Sequence, residues 1–385
     1  MADLFDYLYW RGDLSLEQSP FGEVDGMILA RLSYLPFECV PALRDGLTCN
    51  VQSAARVLLA VHDIDKRILL KEDLRLLTAL ADSARFGGMT LFAYENKTDL
   101  ETQTQFSAVT VQIEPQRCFV AFRGTDGSFV GWKEDFNMSF ICPVPAQTSA
   151  VLYVERVAQN VSGRLLTGGH SKGGNLAVYA AAFCSEAVQQ RIDAVYNFDG
   201  PGFCENVLAQ EGYQRIFDRV TTFVPQSSVV GMLLEHEEKY IIVHSNANQL
   251  MQHDVISWEI ERDRFRHLET VTNSSKFIDA TLKEWVAQLD LEQREKFFNA
   301  IYTVLSETNV HSFRELEENW FAGAISVVKS LANLDEETGK AVTQTLRWLM
   351  HCAKSGVLRT LQSQWESDGP NARAGKRRFE EVKKP

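Results

Sequence analysis

The spacing of apolar residues changes along this chain, and each spacing predicts a different kind of element. Residues 1–20 show no clear period, and we expect them to be irregular. Three stretches then have helical spacing and are expected to be packing helices: 24–34, 51–61 and 72–84. β-Branched and aromatic residues separated by polar turns follow, and they predict three consecutive strands: 89–97, 105–113 and 117–123.

In the middle of the chain, predicted strands alternate with predicted helices. The predicted helices are 147–161 and 175–184, and the predicted strands are 164–167, 194–198, 220–224 and 240–243. This alternation is typical of a mostly parallel sheet covered by helices on both faces. After residue 272 the pattern is helical, with capping signals at Asp290, Ser312 and Asp335.

Composition and charge narrow the functional classes. The chain has 385 residues, 45% of them hydrophobic, and a net charge of −12. A large core can therefore form, and general nucleic-acid binding is disfavoured because phosphates would be repelled. The seven cysteines are scattered and include no Cys-x-x-Cys pair, which is typical of reduced thiols. The start is acidic and no apolar run reaches 18 residues, so we expect a cytoplasmic protein.

Candidate chemistry begins at Gly-x-Ser-x-Gly, residues 169–173, which lies between a predicted strand and a predicted helix. A serine on so sharp a turn is forced into strained backbone geometry with its hydroxyl exposed. A side chain at either glycine would collide with the neighbouring strand or helix. This context predicts a nucleophile elbow at Ser171. A plain glycine-rich turn and a phosphate cradle are the alternatives, although the Gly-x-x-x-x-Gly-Lys-Ser/Thr spacing is absent.

A serine hydroxyl needs a base, and the base must be oriented by a third group. In folds with a nucleophile elbow the base follows the last strand of the sheet. His253 follows the predicted strand 240–243 by about ten residues and is the preferred base. His244 stands at the end of that strand and His236 precedes it, so both rank lower. His170, inside the elbow, is expected to point away from the nucleophile.

The acid has no obvious candidate at its usual turn, which follows the predicted strand 220–224. No carboxylate occurs there before Glu235. One strand earlier, Asp199 directly follows Phe198 at a strand end, where catalytic groups of α/β sheets gather. Asp199 is therefore the preferred orienting acid, with a turn-forming role before Gly-Pro as the alternative. Asp254 and Glu235 are weaker candidates.

Stabilising a tetrahedral oxyanion needs two donors. One is the backbone amide of Lys172, directly after the serine. The other is expected from the loop at 122–127, where Thr125 offers its amide and its hydroxyl. The following segment, 128–140, has the pattern of a short amphipathic helix, which would either cover the site or pack as an ordinary helix.

The combined order of these motifs resembles the class 3 (fungal-type) lipases. The motifs are Phe-Arg-Gly-Thr at 122–125 with Trp132-x-x-Asp135 downstream, Gly-His-Ser-x-Gly-Gly at 169–174, Tyr-Asn-Phe-x-x-Pro at 196–201, and His253-x-x-x-x-Trp258. The chain looks most similar to an uncharacterised bacterial group of that superfamily, over about residues 85–260.

The resemblance implies a carboxylic ester as substrate. By the same resemblance Ser171 attacks, His253 is the base, Thr125 and Lys172 form the oxyanion hole, and the Trp132 segment corresponds to the lid. The chain departs from those lipases at the acid, which they take from the turn occupied here by residues 226–228. An acid after the preceding strand resembles pancreatic-type lipases instead.

We therefore predict an α/β-hydrolase fold with a mostly parallel central sheet, plus a helical C-terminal region. Residues 1–272 would form the lipase-like domain with its N-terminal helices, 273–367 the helical region, and 368–385 a disordered basic tail. The expected function is serine ester hydrolysis without metal or cofactor, and an acyl lipid is one expected substrate. The alternative is a hydrolase-fold protein that acts as a binding or scaffold module. Peripheral membrane contact through the helices and basic tail, and the oligomeric state, stay open.

Overall fold

A nine-stranded sheet runs through the part of the chain that the computed structural model describes, which is residues 2–99, 101–102, 104–125, 134, 138, 142–228, 230–232, 238–247 and 249–271. The strands are β1 Cys49–Asn50, β2 Thr90–Asp99, β3 Thr104–Glu114, β4 Arg117–Phe122, β5 Arg164–His170, β6 Ile192–Phe198, β7 Val220–Pro225, β8 Lys239–Val243 and β11 His267–Leu268, in this spatial order. Two short strands, β9 Ile260–Glu261 and β10 Arg264–Phe265, pair separately.

The centre of the sheet is parallel and its edges are antiparallel. Strands β4 to β8 run parallel to one another. At one edge the neighbouring strands β1 and β2, β2 and β3, and β3 and β4 are antiparallel. At the other edge β11 is antiparallel to β8. The turns between β2, β3 and β4 are too short for a parallel crossover, which forces antiparallel pairing there. The protein is thus an α/β protein with a mixed sheet whose central strands are parallel.

Helices cover both faces of this sheet. They are α1 Leu4–Arg11, α2 Glu23–Leu32, α3 Pro41–Arg44, α4 Val51–Leu59, α5 Glu72–Asp82, α6 Pro145–Asn160, α7 Lys172–Phe183, α8 Glu186–Gln189, α9 Glu205–Leu208 and α10 Glu211–Ile216. The expected helices at 24–34, 51–61 and 72–84 are present with slightly shifted ends. The expectation that residues 1–20 are irregular is wrong for Leu4–Arg11, because Asp3 and Asp6 form a capping box that starts α1, and it is confirmed for residues 12–20.

Alternating residues of β4 show how the sheet separates two apolar cores. Phe119 and Ala121 belong to the core that also contains α1, α2, α4 and α5. Val120 and Phe122 point the other way, into the core formed with α6 and α7. Side chains in a strand alternate between faces, so the continuous apolar run of β4 marks a strand that is buried on both sides.

The sheet topology brings several loops to one edge. Residue Thr125 follows β4, Ser171 follows β5, Asp199 follows β6 and His253 comes after β8. The carboxyl ends of the parallel strands β4 to β8 meet at the same edge. The preferred site residues, Thr125, Ser171, Lys172, Asp199 and His253, therefore lie at this edge.

Some predictions fall outside the described residues. These are the helices after residue 272, the domain 273–367, the tail 368–385, Glu235, His236 and most of the segment 128–140. Of that segment, Glu134 and Met138 are described, and both side chains are buried. No helix among the described residues is both long and apolar enough to cross a membrane.

Candidate active site

Ser171 lies between the end of β5 and the start of α7. Its φ of 57° and ψ of −132° lie outside the regions that L-residues ordinarily occupy, which costs about 1–3 kcal/mol. The surrounding backbone holds this conformation, because the Ser171 amide donates to Phe198 O at 2.9 Å and Gly174 N donates to Ser171 O at 2.9 Å. The strained strand-to-helix turn expected from the sequence is present.

The two glycines that flank the Ser171 turn, Gly169 and Gly173, leave no room for a Cβ atom. A Cβ on Gly169 would lie 2.3 Å from the carbonyl carbon of Gly173, and a Cβ on Gly173 would lie 2.2 Å from Phe122 O. Both distances are far below van der Waals contact with backbone atoms that cannot move aside. The collision predicted from the motif is confirmed.

His253 and Asp199 are in direct contact. His253 Nδ1 lies 2.7 Å from Asp199 Oδ2, with the carboxylate fully buried and the imidazole 27% exposed. Because Nδ1 faces the carboxylate, the proton on that nitrogen is held there and Nε2 is the atom that can exchange a proton. The structure thus pairs the two residues that the sequence analysis favoured as base and acid.

The turn after β7 provides hydrogen bonds to Asp199 and does not provide an acid of its own within the described residues. Ser228 Oγ donates a hydrogen bond to Asp199 Oδ1, and Gly231 N donates to the same oxygen at 3.2 Å. Asp199 itself has a positive φ of 51°, which lets its side chain turn toward these donors. The turn at which the class 3 lipases carry their acid therefore supplies hydrogen-bond donors to an acid from the preceding strand.

The loop that carries His253 is fixed on both sides of the histidine. Trp258, fully buried, donates from Nε1 to the Gln252 carbonyl at 2.9 Å. The Gln252 side chain accepts from Ser227 N at 2.8 Å and donates to Ala247 O at 2.9 Å. The late aromatic of the motif thus holds the chain directly before His253.

The weaker candidates that the structure describes have other partners. His244 Nδ1 lies 2.8 Å from Glu259 Oε2. Asp254 Oδ1 accepts from Ile256 N at 3.1 Å and caps a short 3₁₀ turn, and burial raises the pKa of this carboxyl. Asp254 is therefore a capping residue in this structure.

Ser171 and His253 are brought to the same edge of the sheet without being bonded. Among the described residues, no hydrogen bond joins the Ser171 hydroxyl to His253. Catalytic hydrogen bonds of this kind are often long before substrate binds and tighten in the complex. The nucleophile–base hydrogen bond is therefore part of the proposal, whereas the contact between His253 and Asp199 is present in the structure.

The proposed oxyanion donors come from the start of α7 and the loop after β4. Lys172 is the first residue of α7, so its amide belongs to the positive end of the helix dipole. In the other loop, Gly124 N donates to the Tyr34 hydroxyl at 3.1 Å, and a Cβ on Gly124 would lie 2.2 Å from that oxygen. The loop that leads into Thr125 is therefore held by a tyrosine which sequence reasoning missed.

The Lys172 side chain is held by a buried ion pair. Its ammonium lies 3.0 Å from Glu134 Oε2, and the two side chains are 1% and 0% exposed. It also donates to Gln105 O at 3.0 Å and Gln105 Oε1 at 2.6 Å. Glu134 in turn accepts from Gln105 N and Ala146 N. This charge pair links the first residue of α7 to β3 and to the start of α6.

Within the part of the chain that the structure describes, no three His, Cys, Asp or Glu side chains are grouped so that they could hold a metal ion. The arrangement that is present offers a serine in an elbow, an imidazole oriented by a buried carboxylate, and amides beside the serine. Such groups suit acyl transfer through a nucleophilic serine.

Two solved structures are similar to parts of this chain. They are the Rhizomucor miehei lipase propeptide complex in its native form and a deletion mutant of the same complex; each is 14% identical to this chain. The first has a TM-score of 0.35 over 57% of this chain and 68% of its own, and the second 0.37 over 62% and 78%. These values are too low to establish a shared function.

A search of curated proteins finds no match. A family model does match, over residues 80–303, which is more than half of the chain and includes every residue proposed from the sequence for the site. The chain belongs to the Mbeg1-like family, a lipase-like family.

Proposed function

We propose that this protein is a serine hydrolase of the α/β-hydrolase fold that cleaves carboxylic esters, with Ser171, His253 and Asp199 as its catalytic triad. The observation that carries the proposal is the 2.7 Å contact between His253 Nδ1 and the buried Asp199 carboxylate, beside a serine in a strained elbow. Membership of a lipase-like family supports hydrolysis, and the motif order of the class 3 lipases supports an ester as the bond that is cleaved.

In the proposed acylation step, Ser171 Oγ attacks the ester carbonyl carbon while His253 Nε2 takes the hydroxyl proton. The carbonyl π electrons move to oxygen, and the amides of Lys172 and Thr125 stabilise the resulting oxyanion. Asp199 stabilises the imidazolium that forms, without taking its proton. When the tetrahedral intermediate collapses, His253 gives that proton to the leaving alkoxide, and an acyl-serine and a free alcohol result.

Deacylation repeats these steps with water as the nucleophile. His253 removes a proton from water as the oxygen attacks the acyl-serine carbonyl, and it then returns the proton to Ser171 Oγ as the acid is released. Each turnover consumes one water and leaves the enzyme unchanged. No group beyond these side chains and amides is required by the chemistry.

The competing hypothesis is a hydrolase-fold protein that only binds. Two features favour it: the absence of a carboxylate at the turn after β7, and the long extension of helical pattern after residue 272. The two hydrogen bonds from Ser228 and Gly231 to Asp199 answer the first, because they give the turn a role in supporting an acid from the neighbouring strand. An oriented imidazole has no evident use in a scaffold, so the constellation favours the enzyme.

The proposal is tested by hydrolysis of a panel of p-nitrophenyl esters of increasing acyl length. We expect the wild-type chain to hydrolyse at least one ester, and Ser171→Ala to abolish that activity with an unchanged melting curve. Ser149→Ala is the matched control: Ser149 is half-buried on α6 and bonds only Pro145 O among described residues, so this change should have no effect. Undiminished hydrolysis by Ser171→Ala would reject the assignment.

A further inference from the structure

A continuous line of hydrogen bonds runs behind Ser171 and joins the oxyanion loop to the base. Gly124 N donates to the Tyr34 hydroxyl at 3.1 Å, and that hydroxyl lies 3.2 Å from His170 Nδ1. His170 Nε2 lies 2.8 Å from the carbonyl oxygen of His253. We call Gly124, Tyr34, His170 and His253 O the Tyr34–His170 relay.

The direction of each bond in the relay follows from its ends. The Gly124 amide can only donate and the His253 carbonyl can only accept. His170 Nε2 must therefore carry the proton, Nδ1 accepts, and the Tyr34 hydroxyl donates to it. The same hydroxyl is also 3.3 Å from the His170 carbonyl, which is a second acceptor on the same residue. A neutral His170 with its proton on Nε2 satisfies every bond of the line.

That arrangement needs an uncharged His170, and the surroundings provide for it. The ring is 6% exposed and lies against the ring of His253, with centroids 4.5 Å apart and the planes tilted by 38°. Burial, the charge of His253 and the guanidinium of Arg31 together hold the pKa of His170 well below its ordinary value. A protonated imidazole would have to donate from both nitrogens and would break the bond from Tyr34.

The N-terminal part of the chain holds Tyr34 in place. The Arg31 guanidinium lies 4.6 Å from the centroid of the Tyr34 ring. Arg31 in turn makes a bidentate, buried ion pair with Asp73 of α5, with both bonds at 2.8 Å. All three residues precede the stretch 80–303 that the family model matches. The relay thus connects residues outside that stretch to the centre of the site.

We propose that Tyr34 and His170 are positioning residues which fix the loop carrying Thr125 and the loop carrying His253 relative to Ser171. The inference rests on the proposed function, because its consequence is a correctly spaced oxyanion hole and base. Small displacements of such groups cost about one to two orders of magnitude in rate. Neither residue contacts the reacting atoms.

The test compares Tyr34→Phe with Tyr153→Phe. Tyr153 is also a fully buried tyrosine; its hydroxyl bonds Thr110 Oγ1 and Ala93 O, and it lies on α6 away from the site. For Tyr34→Phe we expect the acylation rate with a fluorophosphonate probe and kcat for an ester to fall about 10- to 100-fold, with KM within about twofold. The final labelling should still reach one probe per chain. Tyr153→Phe should keep the wild-type rate.

Labelling stoichiometry separates positioning from loss of folding. If Tyr34→Phe were merely unfolded in part, the labelled fraction would fall while the remaining molecules reacted at the wild-type rate. That result, or an unchanged acylation rate at full labelling, would overturn the proposal.

A second readout does not depend on catalysis. Imidazole ¹⁵N spectra of the wild-type chain should show His170 as the Nε2–H tautomer without titration between about pH 6 and pH 8. In Tyr34→Phe the His170 Nδ1 signal should shift. If the wild-type serine does not react with the probe at all, the proposed hydrolase fails, and the relay is then judged by these spectra alone. A titrating His170, or a spectrum unaffected by Tyr34→Phe, would contradict it.

Discussion

Two residues at the site, Ser171 and Asp199, have a positive φ although neither is glycine. Positive φ costs free energy for ordinary residues and persists only where the surrounding structure enforces it. At Ser171 the enforcement comes from the tight crossing of β5 and α7, where a Cβ on Gly169 or Gly173 would collide with backbone. At Asp199 it comes from the donors of the turn after β7. Both strained residues are ones to which the proposed mechanism assigns a chemical role.

Asp199→Asn removes the carboxylate charge with little change of shape. The amide cannot stabilise the imidazolium of His253 and favours the wrong tautomer, so we expect kcat to fall by about three to four orders of magnitude. The melting curve should change little. Asp193→Asn is the matched control and should leave kcat unaltered, because Asp193 lies on β6, the strand before Asp199, in a partly exposed ion pair with Arg164 of β5. An unchanged rate in Asp199→Asn would remove Asp199 from the mechanism.

Gly231→Ala tests the support of the acid from the turn. A Cβ at this position would lie 2.3 Å from Asp199 Oδ1, so the carboxylate or the turn must shift. We expect a lower kcat, by about 10-fold or more, because the contact with His253 loosens. Gly88→Ala provides the control, since its Cβ would have no neighbour within 4 Å. Equal kcat values for these two variants would contradict a supporting role of Gly231.

At the scale of elements, the buried Lys172–Glu134 pair connects α7 with β3 and α6. Removing one partner of such a pair leaves a buried charge uncompensated, at a cost of about 3–5 kcal/mol. We expect Lys172→Met to lower the free energy of unfolding by that amount, as measured by urea denaturation. The double variant Lys172→Met/Glu134→Gln should recover part of the loss, because no charge remains buried.

Lys97→Met is the control for this prediction. Lys97 pairs with Glu95, and its side chain is 63% exposed. Exposed pairs contribute little, so this change should alter the free energy of unfolding by less than about 1 kcal/mol. If the double variant were no more stable than Lys172→Met alone, the uncompensated charge would not be the cause of the loss.

The elements near the site differ in how far the sequence predicts them. The strand, turn and helix around Ser171 follow from local spacing, because the signal lies within one short stretch. Predicting that His253 and Asp199 meet at one edge of the sheet required the strand order as well, since the two residues are 54 positions apart. The hydrogen bond from Ser228 to Asp199 was not predicted, because the sequence of this turn was considered only as a source of a carboxylate.

No local pattern could have placed Tyr34 beside His170. The two residues are 136 positions apart, and Tyr34 reaches the site only because α2 packs across β4, β5 and β6. The helix expected at 24–34 ends at Leu32, and Tyr34 lies in the turn that follows it. Periodicity predicts that this helix packs on the sheet, but it cannot show which partner the Tyr34 hydroxyl has. The capping box of α1 was missed for a different reason, since Asp replaces the Glu or Gln usual at its third position.

For the whole molecule, we expect the free energy of unfolding to fall as the pH drops below about 6.5. The pKa of His170 is held well below its ordinary value in the folded chain, mainly by burial. The unfolded chain therefore binds a proton that the folded chain does not, with a limiting slope of about 1.4 kcal/mol per pH unit for one group. Above about pH 6.5 this penalty is absent.

His170→Gln isolates this contribution. Glutamine can donate to the His253 carbonyl but cannot take up a proton. Urea denaturation at several pH values should therefore show that the free energy of unfolding depends less on pH in the variant than in the wild type. The difference in free energy of unfolding between the two proteins should narrow as the pH falls from about 7 to about 5. Parallel curves would show that His170 does not contribute to the pH dependence.

The proposed mechanism requires Ser171 to be a nucleophile that the surrounding fold activates. Tandem mass spectrometry of the wild-type chain after reaction with a fluorophosphonate probe tests it most directly, because it identifies the residue that carries the adduct. We expect a single adduct on Ser171, formed much more slowly in Asp199→Asn. An adduct on a different residue, or ester hydrolysis that continues while Ser171 stays unmodified, would contradict it.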